Sequence, residues 1–148
     1  MTDETKRRQE TGPIVSLDTP FSDLRGEIQP LVNGGFESAQ CISCLKGSVR
    51  ANHYHKKDWH YCFMVKGSMR YYTRAIDDDI EATWTLVTAG QVVFTPAMEV
   101  HAMEFLEDSV FINFAGRPRD QVDYEDDLVR VELIPAKDGF SPAVDRKS

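Results

Sequence analysis

The feature that most constrains this chain is a succession of short β-rich segments, each set off by turn residues. Residues 26–32 run into the turn Asn33-Gly34-Gly35, and further segments follow at 38–45, 49–55, 59–65 and 69–76. The acidic turn Asp77-Asp78-Asp79 leads to segments at 82–87, 91–95, 100–105 and 110–114, then to an alternating run at 128–134. Many short strands with regular turn signals predict an all-β sandwich or barrel. The helix–strand alternation of a parallel α/β sheet is missing. One helical stretch is expected, a turn or two within residues 119–127. Residues 1–12 and 135–148 are polar and punctuated, which reads as a disordered tail and a loose arm around one domain at 13–134. A chain of 148 residues is long enough to bury a core without disulfides.

Seventeen basic against 24 acidic residues give a formal charge of −7. That balance repels nucleic acid and anionic membrane, and the best basic cluster, Lys6-Arg7-Arg8, lies in the expected tail. No apolar run reaches the roughly 18–20 residues that span a bilayer, and the first residues lack the apolar core of a signal peptide. A cytoplasmic protein is expected. The three cysteines, Cys41, Cys44 and Cys62, are too few and odd in number for a disulfide framework. Cys41 and Cys44 stand three apart on an expected strand and so point to opposite faces; all three are expected to be ordinary core residues.

The four histidines are concentrated. Three fall in HYHKKDWH, as His53, His55 and His60, and the fourth, His101, ends GQVVFTPAMEVH. Positions 53 and 55 are i and i+2 on a strand, so both imidazoles share a face. The polar Lys56-Lys57-Asp58 turns the chain, and His60 opens the next strand, placed to return beside the first two. His101 comes from a strand distant in sequence but adjacent in the barrel. Neutral imidazoles suit zinc, iron, copper or nickel, whereas magnesium and calcium prefer oxygen. One divalent transition metal (zinc, iron, nickel or manganese), held by His53, His55, His60 and His101, is the expected cofactor.

These residues resemble the cupins. Gly47-x5-His53-x-His55-x4-His60-x6-Gly67 is similar to the first cupin motif and Gly90-x5-Pro96-x4-His101 to the second, a likeness spanning residues 26–116. It implies a double-sheet jelly roll with a metal at the barrel mouth. The chain departs from the pattern in carrying His60 in place of Glu, Ala97 and Met98 after the proline, and Phe105 in place of Asn. Losing the carboxylate makes the site more cationic. His60 occupies the equivalent ligand position; the alternative is three histidine ligands, with His60 either behind them or acting as an acid–base group. Residues 50–56 and 23–28 are also similar to cupins of sugar-nucleotide and polysaccharide pathways.

A turn at Lys66-Gly67 predicts a hairpin pairing Val65 with Ser68, Met64 with Met69, Cys62 with Tyr71 and His60 with Thr73. Tyr71 and Thr73 then face inward, as do Met103 and Phe105 after His101. Tyr71 is the candidate general acid or base, and Thr73, Met103 and Phe105 are candidate substrate contacts. Tyr61, Phe63 and Tyr72 face outward, where a second subunit would cover them, together with Trp84 and the 128–134 strand; a homodimer is expected. The expected activity is metal-dependent isomerisation or epimerisation of a small polar carbonyl or sugar-like compound. Three alternatives fit the same residues: a non-haem iron dioxygenase, a non-catalytic ligand-binding module, and a metal-free ketone isomerase using His53 and His55 as acid–base groups.

Overall fold

The computed structural model describes residues 12–136 apart from Asp78, so the expected tail up to residue 11 and most of the expected arm lie outside the described residues. The strands are β1 (Phe21–Asp23), β2 (Gly26–Ile28), β3 (Ser38–Cys44), β4 (Val49–His55), β5 (His60–Lys66) and β6 (Ser68–Ala75). They continue as β7 (Thr83–Thr88), β8 (Val92–Thr95), β9 (Glu99–Phe105) and β10 (Ser109–Ala115). Helix α1 (Gln121–Asp127) and strand β11 (Leu128–Arg130) follow. One sheet has the order β3-β10-β5-β8 and the other β11-β4-β9-β6-β7, while β1 and β2 form a separate exposed ribbon. From β3 onward the chain alternates between the two sheets at every step except the β6–β7 hairpin. That alternation wraps two antiparallel sheets into a jelly roll, an all-β architecture as the strand pattern predicts and the one the family resemblance implies. The short helix falls within the predicted stretch, and the last run is a strand only over β11.

Between the sheets lies a core of Cys62, Met64, Met69, Tyr71, Val87, Val93, Met103, Phe105 and Phe111. Its members alternate along each strand, the period that puts one face of a sheet on a core. A second cluster covers the outer face of the four-stranded sheet, where Val15, Leu17, Leu31 and Val32 pack on Tyr61, Val92, Phe94, Trp59 and Phe63. Tyr61 and Phe63 do point outward as expected, but the chain's own N-terminal segment covers them. Backbone bonds from Val15 N–H to Val92 O (2.8 Å) and from Phe94 N–H to Pro13 O (3.0 Å) fasten that segment along edge strand β8. Trp84 stays 54% exposed on β7. Cys44 and Cys62 are buried, whereas Cys41 is exposed and not a core residue, as its opposite strand face requires.

The expected β5–β6 hairpin does not form. Strand β5 pairs with β10 and β8, and β6 pairs with β7 and β9. Gly67 alone separates β5 from β6, one residue fewer than the shortest common hairpin loop needs. The chain instead turns a corner there, at φ 92°, into the opposite sheet. Which residues face inward survives, because the apolar alternation sets the side facing the core whatever the turn does.

Gly67 should therefore be hard to replace. A Cβ there would fall against Ser109 Oγ, 2.7 Å from Ser109 Cβ and 2.8 Å from Asp108 O, whereas Gly90, with φ 91°, has open space around it. Gly90→Ala is expected to cost about 1–2 kcal/mol for the backbone alone. Gly67→Ala is expected to cost clearly more, read from the two urea unfolding midpoints.

Candidate active site

All four histidines gather at one end of the barrel, where β4 ends, β5 begins, β8 ends and β9 begins. Each is at most 6% exposed. His53 and His55 share the inner face of β4, with ring centroids 4.9 Å apart. His101 is the cross-strand partner of His53 on β9, at 4.8 Å between centroids. His60 faces them from the opposite sheet rather than from a hairpin neighbour, and its Nε2 lies 3.4 Å from His101 Nε2.

The strand carrying His53 and His55 is bent into place. The β4–β9 register shifts between Ala51 and His53, and Ala51 and Asn52 adopt φ of 70° and 57°. Such a bulge re-aims the side chains that follow it. Asn52 is pinned there: its Oδ1 accepts from the N–H groups of Leu133 (3.1 Å) and Ile134 (3.2 Å), and its Nδ2 donates to Ile134 O (3.0 Å). Met98, at φ 66°, donates its N–H to His55 O at 2.7 Å.

Helix α1 and its flanks complete the site with residues the sequence reading missed. The Asp127 carboxylate accepts from Lys57 N–H (2.9 Å), Asp58 N–H (3.1 Å) and His55 Nδ1–H (3.2 Å). Burial raises its pKa, but the donors of Asp58, Lys57 and His55 outweigh this and leave it lowered. Tyr124 sets its ring 6.0 Å from His55 and 6.4 Å from His53. Asp58, expected only to turn the chain, is 4% exposed, and its Oδ2 lies 3.2 Å from Nη2 of Arg119. Nothing in the run DYEDD marks Asp127 rather than its acidic neighbours; only the helix, closing against the β4–β5 loop, selects it.

Of the other expected site residues, Tyr71 does lie beside the histidines, stacked on His101 at 6.2 Å and 18°. It is fully buried, and its hydroxyl is engaged with Thr95 Oγ1. Thr73 is the cross-strand partner of His101 and is half-buried at the mouth. Met103 and Phe105 point inward but form the buried apolar floor, where Phe105 stacks on Phe111 at 5.9 Å.

The donor set fits a transition metal. One ligand nitrogen from each of His53, His55 and His101 lies within 4.8 Å of the others. Two nitrogens on one ion at about 2.1 Å each stand no more than about 4.2 Å apart, so small rotations seat an ion. Asp127 behind His55 and the Glu99 carbonyl behind His101 Nδ1 (3.1 Å) orient the imidazoles as metal-site partners do. His60 stands outside this trio. The same hydrogen bond serves an acid–base role equally: with its proton held on Nδ1, His55 presents a lone pair on Nε2, which is buried without a partner.

No protein-family model and no curated protein matches the chain. Solved structures do. A mutant of the 3,4-ketoisomerase QdtA from Thermoanaerobacterium thermosaccharolyticum, in complex with TDP-4-keto-6-deoxyglucose, is 17% identical with a TM-score of 0.63, over 87% of this chain and 97% of that one. The dTDP-4-dehydrorhamnose 3,5-epimerase from Elizabethkingia anophelis NUHP1 is 16% identical with a TM-score of 0.67, over 88% and 82%. ChmJ, a 3′-monoepimerase from Streptomyces bikiniensis in complex with dTDP-quinovose, is 15% identical with a TM-score of 0.66, over 88% and 78%. These likenesses show a shared jelly-roll fold. Among the described residues no helix is long and apolar enough to cross a membrane.

Burial is the first cause that lowers the pKa of His53, His60 and His55 below the ordinary 6.5, with His101 next for the first two and Arg119 next for His55. The folded protein thus keeps these rings neutral, while the unfolded chain binds protons from about pH 6.5 downward. Stability rises with pH wherever the unfolded state holds more protons, so it should fall as pH drops below about 6.5. The urea midpoint is expected to decrease from pH 7.5 to pH 5.5, and His60→Gln should flatten that slope.

Proposed function

We propose that this protein is an isomerase or epimerase of a sugar nucleotide that bears a ketone, and that His55 moves the proton. The observation that carries this is the Asp127–His55 pair, a buried imidazole with a carboxylate at 3.2 Å on Nδ1 and an unpartnered Nε2 facing the other histidines. A hydrogen on the carbon beside a ketone is acidic enough for such a base to remove. Because His55 is held neutral, it is ready to accept the proton near pH 7. Asp127 fixes the ring and offsets the charge the imidazolium then carries. The solved structures of like fold support the substrate class: their names include a 3,4-ketoisomerase, a 3,5-epimerase and a 3′-monoepimerase. Tyr71, its hydroxyl engaged with Thr95, is a positioning residue under His101 in this scheme.

The test is incubation with TDP-4-keto-6-deoxyglucose in deuterated water, followed by NMR. Deuterium should enter at a carbon beside the ketone, and Asp127→Asn and His55→Asn should slow its entry about 10²-fold or more. No exchange by the wild type, or full exchange by both variants, would refute the assignment.

A second reading keeps the same class of reaction and adds a metal, favoured by the mutual approach of His53, His55 and His101. An ion bound there would supply Lewis-acid polarisation of the ketone. Elemental analysis of untagged protein is expected to find near one equivalent of zinc, iron, nickel or manganese if this holds. The ion should be lost in a His53→Ala, His101→Ala double variant. A homodimer belongs to the proposal as well, with the exposed Trp84 on its outer sheet, and equilibrium sedimentation would show it.

A further inference from the structure

Five buried side-chain nitrogens have no hydrogen-bond partner among the described residues: His53 Nδ1, His55 Nε2, His60 Nδ1, and Nε and Nη2 of Arg119. Three rings and one guanidinium carry all of them, and they meet at the barrel mouth. Each unpaired buried polar group costs on the order of 1–3 kcal/mol, so folded chains keep few. Their concentration in one place marks a site built for a polar ligand.

The members differ in chemistry. A neutral imidazole offers a lone pair, whereas a guanidinium only donates. Arg119 is held at the rim of the cluster by two neighbours. Its Cζ lies 5.1 Å above the Tyr124 ring, and Nη2 is 3.2 Å from Asp58 Oδ2 without hydrogen-bond geometry. Asp58 in turn uses Oδ1 to accept from Trp59 N–H at 2.9 Å. The side chain is only 15% exposed, and the Tyr124 ring beneath it lies 6.0 Å from the ring of His55. A fixed cation with unused hydrogen-bond donors therefore stands beside the proposed base.

Resting on the proton-transfer function above, we propose that Arg119 is a catalytic residue whose N–H groups hold the substrate oxygen as negative charge develops on it. When His55 Nε2 takes the proton, the C–H bond breaks and its electron pair forms a carbon–carbon double bond. The carbonyl π pair moves to the oxygen, giving an enolate whose charge Arg119 offsets. Return of the proton to carbon restores a ketone. If the ketone shifts to the neighbouring carbon, the adjacent hydroxyl proton passes to the first oxygen. No oxidant or reductant is needed.

Two anionic oxygens on a sugar nucleotide could meet this guanidinium, the enolate and the diphosphate, and the test separates them. Turnover, calorimetric binding of TDP, and calorimetric binding of oxalate (a planar dianion like an enediolate) are compared in wild type and Arg119→Gln at equal metal content. Turnover should fall about 10²-fold or more with TDP affinity unchanged and oxalate binding lost. Added guanidinium chloride should restore part of the turnover of Arg119→Ala, which loss of a merely structural contact would not permit. Weakened TDP binding with turnover retained would move Arg119 to the diphosphate and overturn the proposal. Unchanged turnover in Arg119→Gln would overturn it too. If the wild type leaves the keto-sugar untouched, the proposed function fails, while oxalate binding still decides for or against Arg119. Should Arg119→Gln not fold, Arg119→Lys keeps the charge and is expected to bind oxalate more weakly than wild type; equal binding would count against the proposal.

Discussion

The site depends on one half-buried carboxylate. Asp127 receives two backbone N–H groups from the β4–β5 loop and the Nδ1–H of His55. A carboxylate taken from water without partners is costly, and three donors in charge-assisted bonds make the burial tolerable. The same contacts tie the end of α1 to the loop that separates His55 from His60. Strand β11 then pairs with β4, Leu128 opposite His55 and Arg130 opposite His53, so the segment that orients the base also braces its strand.

Backbone strain is concentrated around the same residues. Ala51, Asn52 and Met98 are the non-glycine residues with positive φ among those described, and they flank His53 and His55 or touch them. Conformations of this kind persist only where the surroundings over-determine them. Here Asn52 is held by three bonds to residues 133–134, and Met98 by its bond to His55 O. The C-terminal segment and the β8–β9 turn thereby set the aim of the histidines from both sides of β4.

Electrostatics separate the possible occupants of this mouth. Four imidazoles without a carboxylate among them suit a transition metal by donor type, yet Arg119 adds a positive charge that a dication would have to oppose. A developing oxyanion meets the opposite situation, since the donor-only cation attracts it. Asp58 and Asp127 sit behind this front, one toward Arg119 and the other toward His55, and their charges are largely committed to those partners.

The sequence by itself determined the fold class and the centre of the site. Period-2 alternation decides which side chains enter a barrel whatever the connections, so the inward set His60, Cys62, Met64, Met69 and Tyr71 was legible although the hairpin expected to join them is absent. The spacing of His53 and His55, and the second motif ending at His101, likewise put these rings on one face. What tertiary structure alone decided was the company they keep. Asp127, Arg119 and Tyr124 lie more than sixty residues from His55 in a short acidic stretch whose spacing favours none of its carboxylates. The choice of Asp127 arises when α1 docks on the β4–β5 loop and its last residue meets three donors. Tertiary structure also decided that Tyr61 and Phe63 are covered from within the chain. A strand pattern shows that a face is apolar but not which segment lies over it, because that is settled by where the N-terminal segment pairs along β8.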